Sequence, residues 1–250
     1  MNYINPTEKP PQNVTHKTFY SQLYNHELGY NIYLPDSYDK NGDKYPVAYH
    51  LHGWTGNESS EIVPMEKVYK DKRTIMIFPN SSPVIEDLEN LPVESMLINE
   101  LIPHIDEAYR TDANREGRSI SGFSMGGGMA FFCAVKYSEL FSSVTTYAPT
   151  FHHYLHKEDT DVVGKPITEA SERYNAMMKN KRHLTEGNII HLIHYNAGII
   201  RKSLKIKIHV GEQDVLICEN EIIHLHLKLL EVPHEYKIFN GAAHELSKIL

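Results

Sequence analysis

Short apolar runs suited to strands alternate along this chain with longer stretches whose apolar residues are spaced for helices. The run Thr74-Ile75-Met76-Ile77-Phe78 is apolar and stops at Pro79, the pattern of a strand covered on both faces. Before it, residues 19–23 and 28–34 read as the strands of a hairpin around Asn25-His26-Glu27, and residues 45–51 as a third strand ending at Gly53. Residues 94–109 show helical spacing at Met96, Leu97, Leu101, Ile102 and Ile105, with Pro103 placed to kink or break the helix. A strand at 118–121 then runs through a glycine-rich turn into an apolar helix at 129–135. Further strands are read at 141–147, 204–210 and 235–239, a helix at 219–230, and a last short segment after that. The strand at 204–210 alternates, which predicts one wetter face.

Strands and helices alternating at these lengths predict an α/β fold with a mostly parallel central sheet and helices on both faces. Residues 151–200 carry no strand pattern but hold two polar helical candidates, near 169–178 and 186–200. They are read as a cap-like insertion over the carboxyl edge of the sheet, within one domain spanning residues 1–250. The Pro-containing first fifteen residues are expected to be mobile.

Composition narrows the classes of function. The 25 basic residues against 32 acidic ones give a formal charge of -7, without the basic excess that binding a phosphate backbone requires. Nucleic acid is therefore not an expected partner. No run approaches the length of a membrane span and the first residues lack a leader pattern, so a cytoplasmic protein with no membrane partner is expected. Cys133 and Cys218 are read as unpaired thiols. The 16 histidines form no finger-like spacing. Helical spacing does place His152 with His156, and His191 with His194, on common faces, but a wet pocket wall is the preferred reading over a metal site. No metal or cofactor is expected.

The candidate chemistry centres on Gly122-Phe123-Ser124-Met125-Gly126, which lies between a predicted strand and a predicted helix. In that context the pentapeptide makes a sharp turn that presents Ser124 as a nucleophile, with glycines where side chains would collide. A glycine-rich phosphate cradle is the competing reading; the spacing of a dinucleotide or P-loop motif is missing. A serine hydroxyl is a poor nucleophile near neutral pH and needs an imidazole base, itself oriented by a carboxylate. The fold sets these in the order Ser, acid, His. Asp214 follows the strand at 204–210, and His244 follows the last strand in a small-residue loop. Glu212 is the rival acid, either carboxylate could instead cap the next helix, and His234 is the rival base. Oxyanion donors are sought in the amide of Met125, at a helix start, and in the loop Leu51-His52-Gly53-Trp54-Thr55-Gly56. There Gly53 allows close approach and the Trp54 amide can face the substrate; Trp54 could also serve only as a packing aromatic. Pro79-Asn80-Ser81-Ser82, with Asn80 as a substrate-binding candidate, and the insertion with His152, His153, Tyr154 and His156 complete the expected surroundings.

These motifs resemble the putative-esterase family of α/β hydrolases, which includes S-formylglutathione hydrolases, feruloyl and acetylxylan esterases and mycolyltransferases. The resemblance rests on Tyr30-Asn31-Ile32-Tyr33-Leu34-Pro35 with Tyr45-Pro46-Val47, on Leu51-His52-Gly53, on Glu100-Leu101-Ile102-Pro103-His104-Ile105, on Ser121 through Gly127, and on Gly211-Glu212-Gln213-Asp214 with His244. It implies an α/β-hydrolase fold, the triad Ser124, Asp214 and His244, and Trp54 and Met125 as oxyanion donors. It also implies a small-molecule ester substrate, with acetyl, feruloyl or other small acyl esters of sugars as candidates. Acyl transfer by the same triad, and a non-catalytic binding protein, are the alternatives. Polysaccharide-active relatives often carry a tryptophan soon after the histidine, whereas Glu245 and Leu246 stand here. The segment after His244 is shorter than the terminal helix usual in the family, leaving the histidine either more mobile or covered by the partner subunit of a homodimer.

Overall fold

A computed structural model of the chain describes residues 2–82, 92–151 and 188–250. Strands β1 (Val14–Ser21), β2 (His26–Tyr33), β3 (Val47–Leu51), β4 (Ile75–Pro79), β5 (Arg118–Phe123), β6 (Ser143–Tyr147), β7 (Lys205–Gly211) and β8 (His234–Phe239) form one sheet. Their order is β1-β2-β4-β3-β5-β6-β7-β8. β1, β2 and β4 pair antiparallel, and all neighbours from β4 through β8 are parallel. The helices are α1 (Glu66–Tyr69), α2 (Pro92–Met96), α3 (Ile102–Ala108), α4 (Met125–Lys136), α5 (Ile189–Ser203) and α6 (Ile217–Leu229).

The alternation of side chains along a strand explains why the central strands read as unbroken apolar runs. On β4, Ile75 and Ile77 join one buried cluster with Val47, Tyr49 and Leu51 of β3, while Met76 and Phe78 join a second with Met65 and Tyr69. Both sheet faces are dry there, so no position favours a polar residue. The first cluster takes in residues of α3, α4, α5 and α6; the second packs under α1 and the terminal residues Leu246 and Ile249. β7 differs as its pattern predicts, with Lys205 and Lys207 exposed. At α5, Asn188 accepts a hydrogen bond from the backbone N–H of His191 at 3.1 Å, while Arg201 and Lys202 occupy the last turn, each end carrying the charge or cap that its unpaired backbone groups favour.

Pro103 breaks the α-helical register less abruptly than its sequence position predicts. Residues Leu97–Leu101 form a π-helical turn closed by the Ile102 N–H on the Leu97 carbonyl, and α3 restarts with proline in its first turn. The backbone stays helical through Leu101, with φ -69° and ψ -46°, so proline leaves the helix one N–H donor short at the π-helical turn.

Within the first fifteen residues, β1 already begins at Val14, paired to Tyr33, and Tyr3 and Asn5 are bonded to the rest of the fold. The Gly29 N–H donates to the Tyr3 carbonyl at 2.7 Å, Ser59 Oγ to the Asn5 carbonyl at 2.5 Å, and the Asn5 N–H to Glu58 Oε1. Glu58, buried, is the hub: it also meets His16 Nε2 at 3.1 Å and Asn80 Nδ2 at 2.8 Å. A carboxylate this far from water is tolerable only when donors saturate it, and those donors come from the first residues and from the ends of β1 and β4. The helical candidate at 169–178 and His152, His153, Tyr154 and His156 lie outside the described residues. Of the candidate at 186–200, the described part is helical, as α5. Cys133 and Cys218 are free thiols, buried and exposed respectively. Among the described residues no helix is long and apolar enough to cross a membrane.

Candidate active site

In a parallel sheet, ligands bind where successive connections leave a strand in opposite directions along the sheet. β3 is flanked by β4 on one side and β5 on the other, so the carboxyl ends of β3 and β5 open such a crevice. The register sets Leu51 beside Gly122, so the chain leaving β3 passes directly against the turn that follows β5.

That turn is Ser124, with φ 54° and ψ -119°, a region that disfavours every residue with a Cβ. Its backbone is pinned on both sides: the N–H donates to the Tyr147 carbonyl at 2.8 Å, and the carbonyl accepts from Gly128 at 3.0 Å and Thr150 at 3.0 Å. Space explains the flanking glycines. A Cβ on Gly122 would stand 2.2 Å from the Gly126 carbonyl oxygen, and one on Gly126 would stand 2.1 Å from the Leu51 carbonyl oxygen.

The three side chains singled out in the sequence form one hydrogen-bonded line. Ser124 Oγ lies 2.9 Å from His244 Nε2, and His244 Nδ1 lies 2.9 Å from Asp214 Oδ2 and 3.1 Å from Oδ1. An ionised carboxylate can only accept, so Nδ1 carries the ring proton and Nε2 presents a lone pair to the serine hydroxyl. Asp214 is 2% exposed, and its Oδ1 also accepts from the Leu216 N–H at 2.9 Å. The Phe123 ring lies 4.7 Å from the imidazole, tilted by 31°, and closes one side of it.

The rivals are occupied elsewhere. Glu212 accepts from the Gly241 N–H at 2.8 Å and so stitches the loop after β7 to the loop after β8, which the Gln213 N–H reinforces on the Ala242 carbonyl at 2.9 Å. His234 is bonded to His224 at 2.7 Å and donates to the Val232 carbonyl. His191 stacks on Tyr195, whereas His194 turns to His226 on α6 at 3.1 Å.

Among the described residues, neither the Met125 amide nor the Trp54 amide donates to a backbone or side-chain acceptor. Met125 is the first residue of α4, where free amides and the helix dipole favour negative charge. Gly53, by contrast, has its N–H committed to Glu61 Oε1 at 2.9 Å; its part is spatial, because a Cβ there would lie 3.2 Å from Phe123 Cδ1 and 3.5 Å from Ser124 Cβ. Asn80 requires a correction. It is 3% exposed, its Nδ2 donates to Glu58 and its Oδ1 accepts from the Ser82 N–H at 3.1 Å, so its side chain serves the buried Glu58 hub instead of a substrate.

Sequence reasoning passed over three residues beside the site. His50 and His52 are buried at the end of β3, and Glu61 is buried eight positions after Gly53. The available signal was the pair of polar histidines interrupting an apolar strand; Glu61 had none, being one carboxylate among many. His52 Nε2 accepts from the Ser81 N–H at 3.0 Å, which leaves Nδ1 to donate to the Gly53 carbonyl at 2.8 Å. Burial pushes its pKa below the ordinary 6.5, favouring this neutral form.

The chain is similar over 94% of its length to a solved ferulic acid esterase, with a TM-score of 0.74, 21% identity and 92% of that chain covered. A similar likeness holds for an S-formylglutathione hydrolase of Staphylococcus aureus, with a TM-score of 0.72, 17% identity, and coverage of 94% of this chain and 92% of that one. In sequence, an esterase of Mycobacterium tuberculosis is 32% identical over 130 residues, which is 48% of this chain and 28% of that protein. An endo-1,4-beta-xylanase/feruloyl esterase of Xylanibacter ruminicola is 30% identical over 161 residues, 55% of this chain and 22% of that protein. The matched region is thus under a third of each of these last two proteins. The family model described as "Putative esterase" matches residues 21–245, and with the α/β-hydrolase fold that the sheet displays, the chain belongs to the putative esterase family.

Proposed function

We propose that the protein hydrolyses carboxylic esters through an acyl-enzyme on Ser124. The observation that carries this reading is the unbroken path from Asp214 through both nitrogens of His244 to Ser124 Oγ, with a contact of 2.9 Å at the serine. In the first step Ser124 Oγ bonds to the ester carbonyl carbon while its proton passes to His244 Nε2. The imidazolium so formed is stabilised by buried Asp214, which holds the proton on Nδ1 throughout. The carbonyl oxygen, now an anion, is received by the Met125 and Trp54 amides, donors that need no reorganisation as charge develops. Collapse of the tetrahedral adduct breaks the bond to the alkoxy oxygen, which leaves with the proton from His244. Water then repeats the sequence on the acyl-enzyme, giving the free acid and restoring the serine hydroxyl.

Small acyl or feruloyl esters of sugars are the proposed substrates. The supports are the family, the feruloyl esterase named among the relatives and the ferulic acid esterase fold. The half-exposed Trp54 indole, next in the chain to a glycine packed on Ser124, offers an aromatic wall to such a ligand.

A biotin-tagged fluorophosphonate should label the protein once, at Ser124, and Ser124→Ala should lose both the label and at least about a thousandfold in kcat. Labelling that persists in the variant would refute the assignment. A panel of acetyl, butyryl, feruloyl and formyl-thioester substrates ranks the acyl groups. Products released only as free acid in the presence of an alcohol or sugar acceptor distinguish hydrolysis from acyl transfer.

A further inference from the structure

The peptide joining Gly53 to Trp54 is held from several directions. A trans peptide is planar, with its C=O and N–H pointing opposite ways, so whatever grips the Gly53 carbonyl also aims the Trp54 N–H. That carbonyl accepts from the Gly56 N–H at 2.9 Å and from His52 Nδ1 at 2.8 Å. The other flank of Gly53 is held by a buried carboxylate: the Gly53 N–H donates to Glu61 Oε1 at 2.9 Å. The second oxygen, Glu61 Oε2, lies 2.6 Å from His50 Nε2, and His50 Nδ1 lies 2.8 Å from Ser121 Oγ. His50, Glu61 and Ser121 are 1%, 8% and 9% exposed, too enclosed to meet a substrate.

This chain of bonds connects the loop after β3 to β5, the strand that leads into Ser124. We propose that Glu61 is a positioning residue for the oxyanion-binding loop, holding Gly53 with one oxygen and, through His50, the nucleophile strand at Ser121 with the other. The inference rests on reading the Trp54 amide as an oxyanion donor. It assigns Glu61 no contact with substrate: its effect reaches the reaction through the direction of one amide, and a donor misplaced by about 1 Å can cost on the order of a hundredfold in rate.

The hydrogen-bond pattern makes a distinctive demand. Glu61→Gln keeps one oxygen for the Gly53 N–H and turns the other acceptor into a donor. His50 can answer by moving its proton to Nδ1, so that the glutamine Nε2 donates to His50 Nε2 and His50 Nδ1 donates to Ser121 Oγ. The Ser121 hydroxyl then donates to the Tyr49 carbonyl, already 3.4 Å away. Loss of charge is thus tolerated, whereas Glu61→Ala strands both the Gly53 N–H and His50.

The experiment measures kcat and KM on p-nitrophenyl acetate and, independently of catalysis, the fluorescence anisotropy of Trp54, which is the only tryptophan in the chain. Glu61→Ala should lower kcat about 10- to 100-fold with KM within about threefold, and should lower the anisotropy; Glu61→Gln should hold both near the wild type. Unchanged kcat and anisotropy in Glu61→Ala, or a Glu61→Gln variant as impaired as Glu61→Ala, overturns the proposal. Should Glu61→Ala fail to fold, Glu61→Asp replaces it, since a side chain one methylene shorter cannot span both partners. Its kcat and anisotropy should fall below those of Glu61→Gln, and the reverse order overturns the proposal. If the wild type turns over no ester, the reading of the site fails, while the anisotropy series still decides whether Glu61 orders the loop.

Discussion

The backbone of Ser124 is held where a non-glycine residue loses about 1–3 kcal/mol, and its three backbone hydrogen bonds to Tyr147, Gly128 and Thr150 show how the surroundings impose it. His52 is constrained differently, through its protonation state. With Nε2 accepting from Ser81 and Nδ1 donating to Gly53, a second proton would displace the Ser81 N–H. Burial lowers its pKa from the ordinary 6.5, so the folded protein binds that proton less readily than the unfolded chain. Its contribution to stability is therefore complete above the unfolded value and is lost as pH falls from there through the depressed folded value. The decline in Tm between about pH 7.5 and 5.5 should be steeper in the wild type than in His52→Ala. Equal slopes would show that His52 does not couple to folding. The histidines at 50 and 52 were visible in the sequence only as interruptions of an apolar strand, because a histidine's tautomer is set by partners such as Ser81, far along the chain.

Helix α4 and strand β3 meet at closer quarters than side chains permit. The carbonyl oxygens of Leu51 and His52 lie where a Cβ on Gly126 would stand, 2.1 Å and 2.5 Å away. Both neighbours are backbone, so neither can rotate aside. Gly126→Ala should cost about 3 kcal/mol, near the upper end for overpacking, and should reduce activity in whatever fraction stays folded by pushing the loop of Trp54 off the turn. Urea unfolding together with phosphonate labelling checks both; a stability loss under about 1 kcal/mol would argue that the two elements separate more easily than their contact implies. Local patterns announced these elements well. The strand–glycine–helix order around Ser124, the apolar run of β4 and the alternation of β7 depend on periodicity and turn chemistry. The helix across Pro103 was less legible, since a π-helical turn at Leu97–Leu101 leaves the same apolar spacing as a continuous helix.

Residues 5 and 249 are each tied to the body of the fold. Asn5 reaches buried Glu58, and at the other end Ile249 is fully buried while its carbonyl accepts from His209 Nδ1 at 3.0 Å. After His244, Leu246 and Ile249 are buried and close the second core. Ile249→Ala should destabilise the protein by about 2–4 kcal/mol. It should also lower kcat at temperatures well below the melt, since it loosens the segment leading back to His244; wild-type stability in urea would contradict this packing account.

What the sequence determined by itself was the kind of fold and the order of the reactive residues along it. Burial on both faces, glycine at a forced bend and a serine, a carboxylate and an imidazole after β5, β7 and β8 are written in neighbouring residues. Only the tertiary structure decided which groups meet. That Asp214 and not Glu212 reaches His244, that Asn80 turns to Glu58, that Tyr3 and Asn5 are bonded to the rest of the fold and that Glu61 holds Gly53 all follow from β3 lying between β4 and β5 and from loops converging at one edge. Such contacts join residues distant in the chain or a single acid among many, and neither leaves a periodic trace.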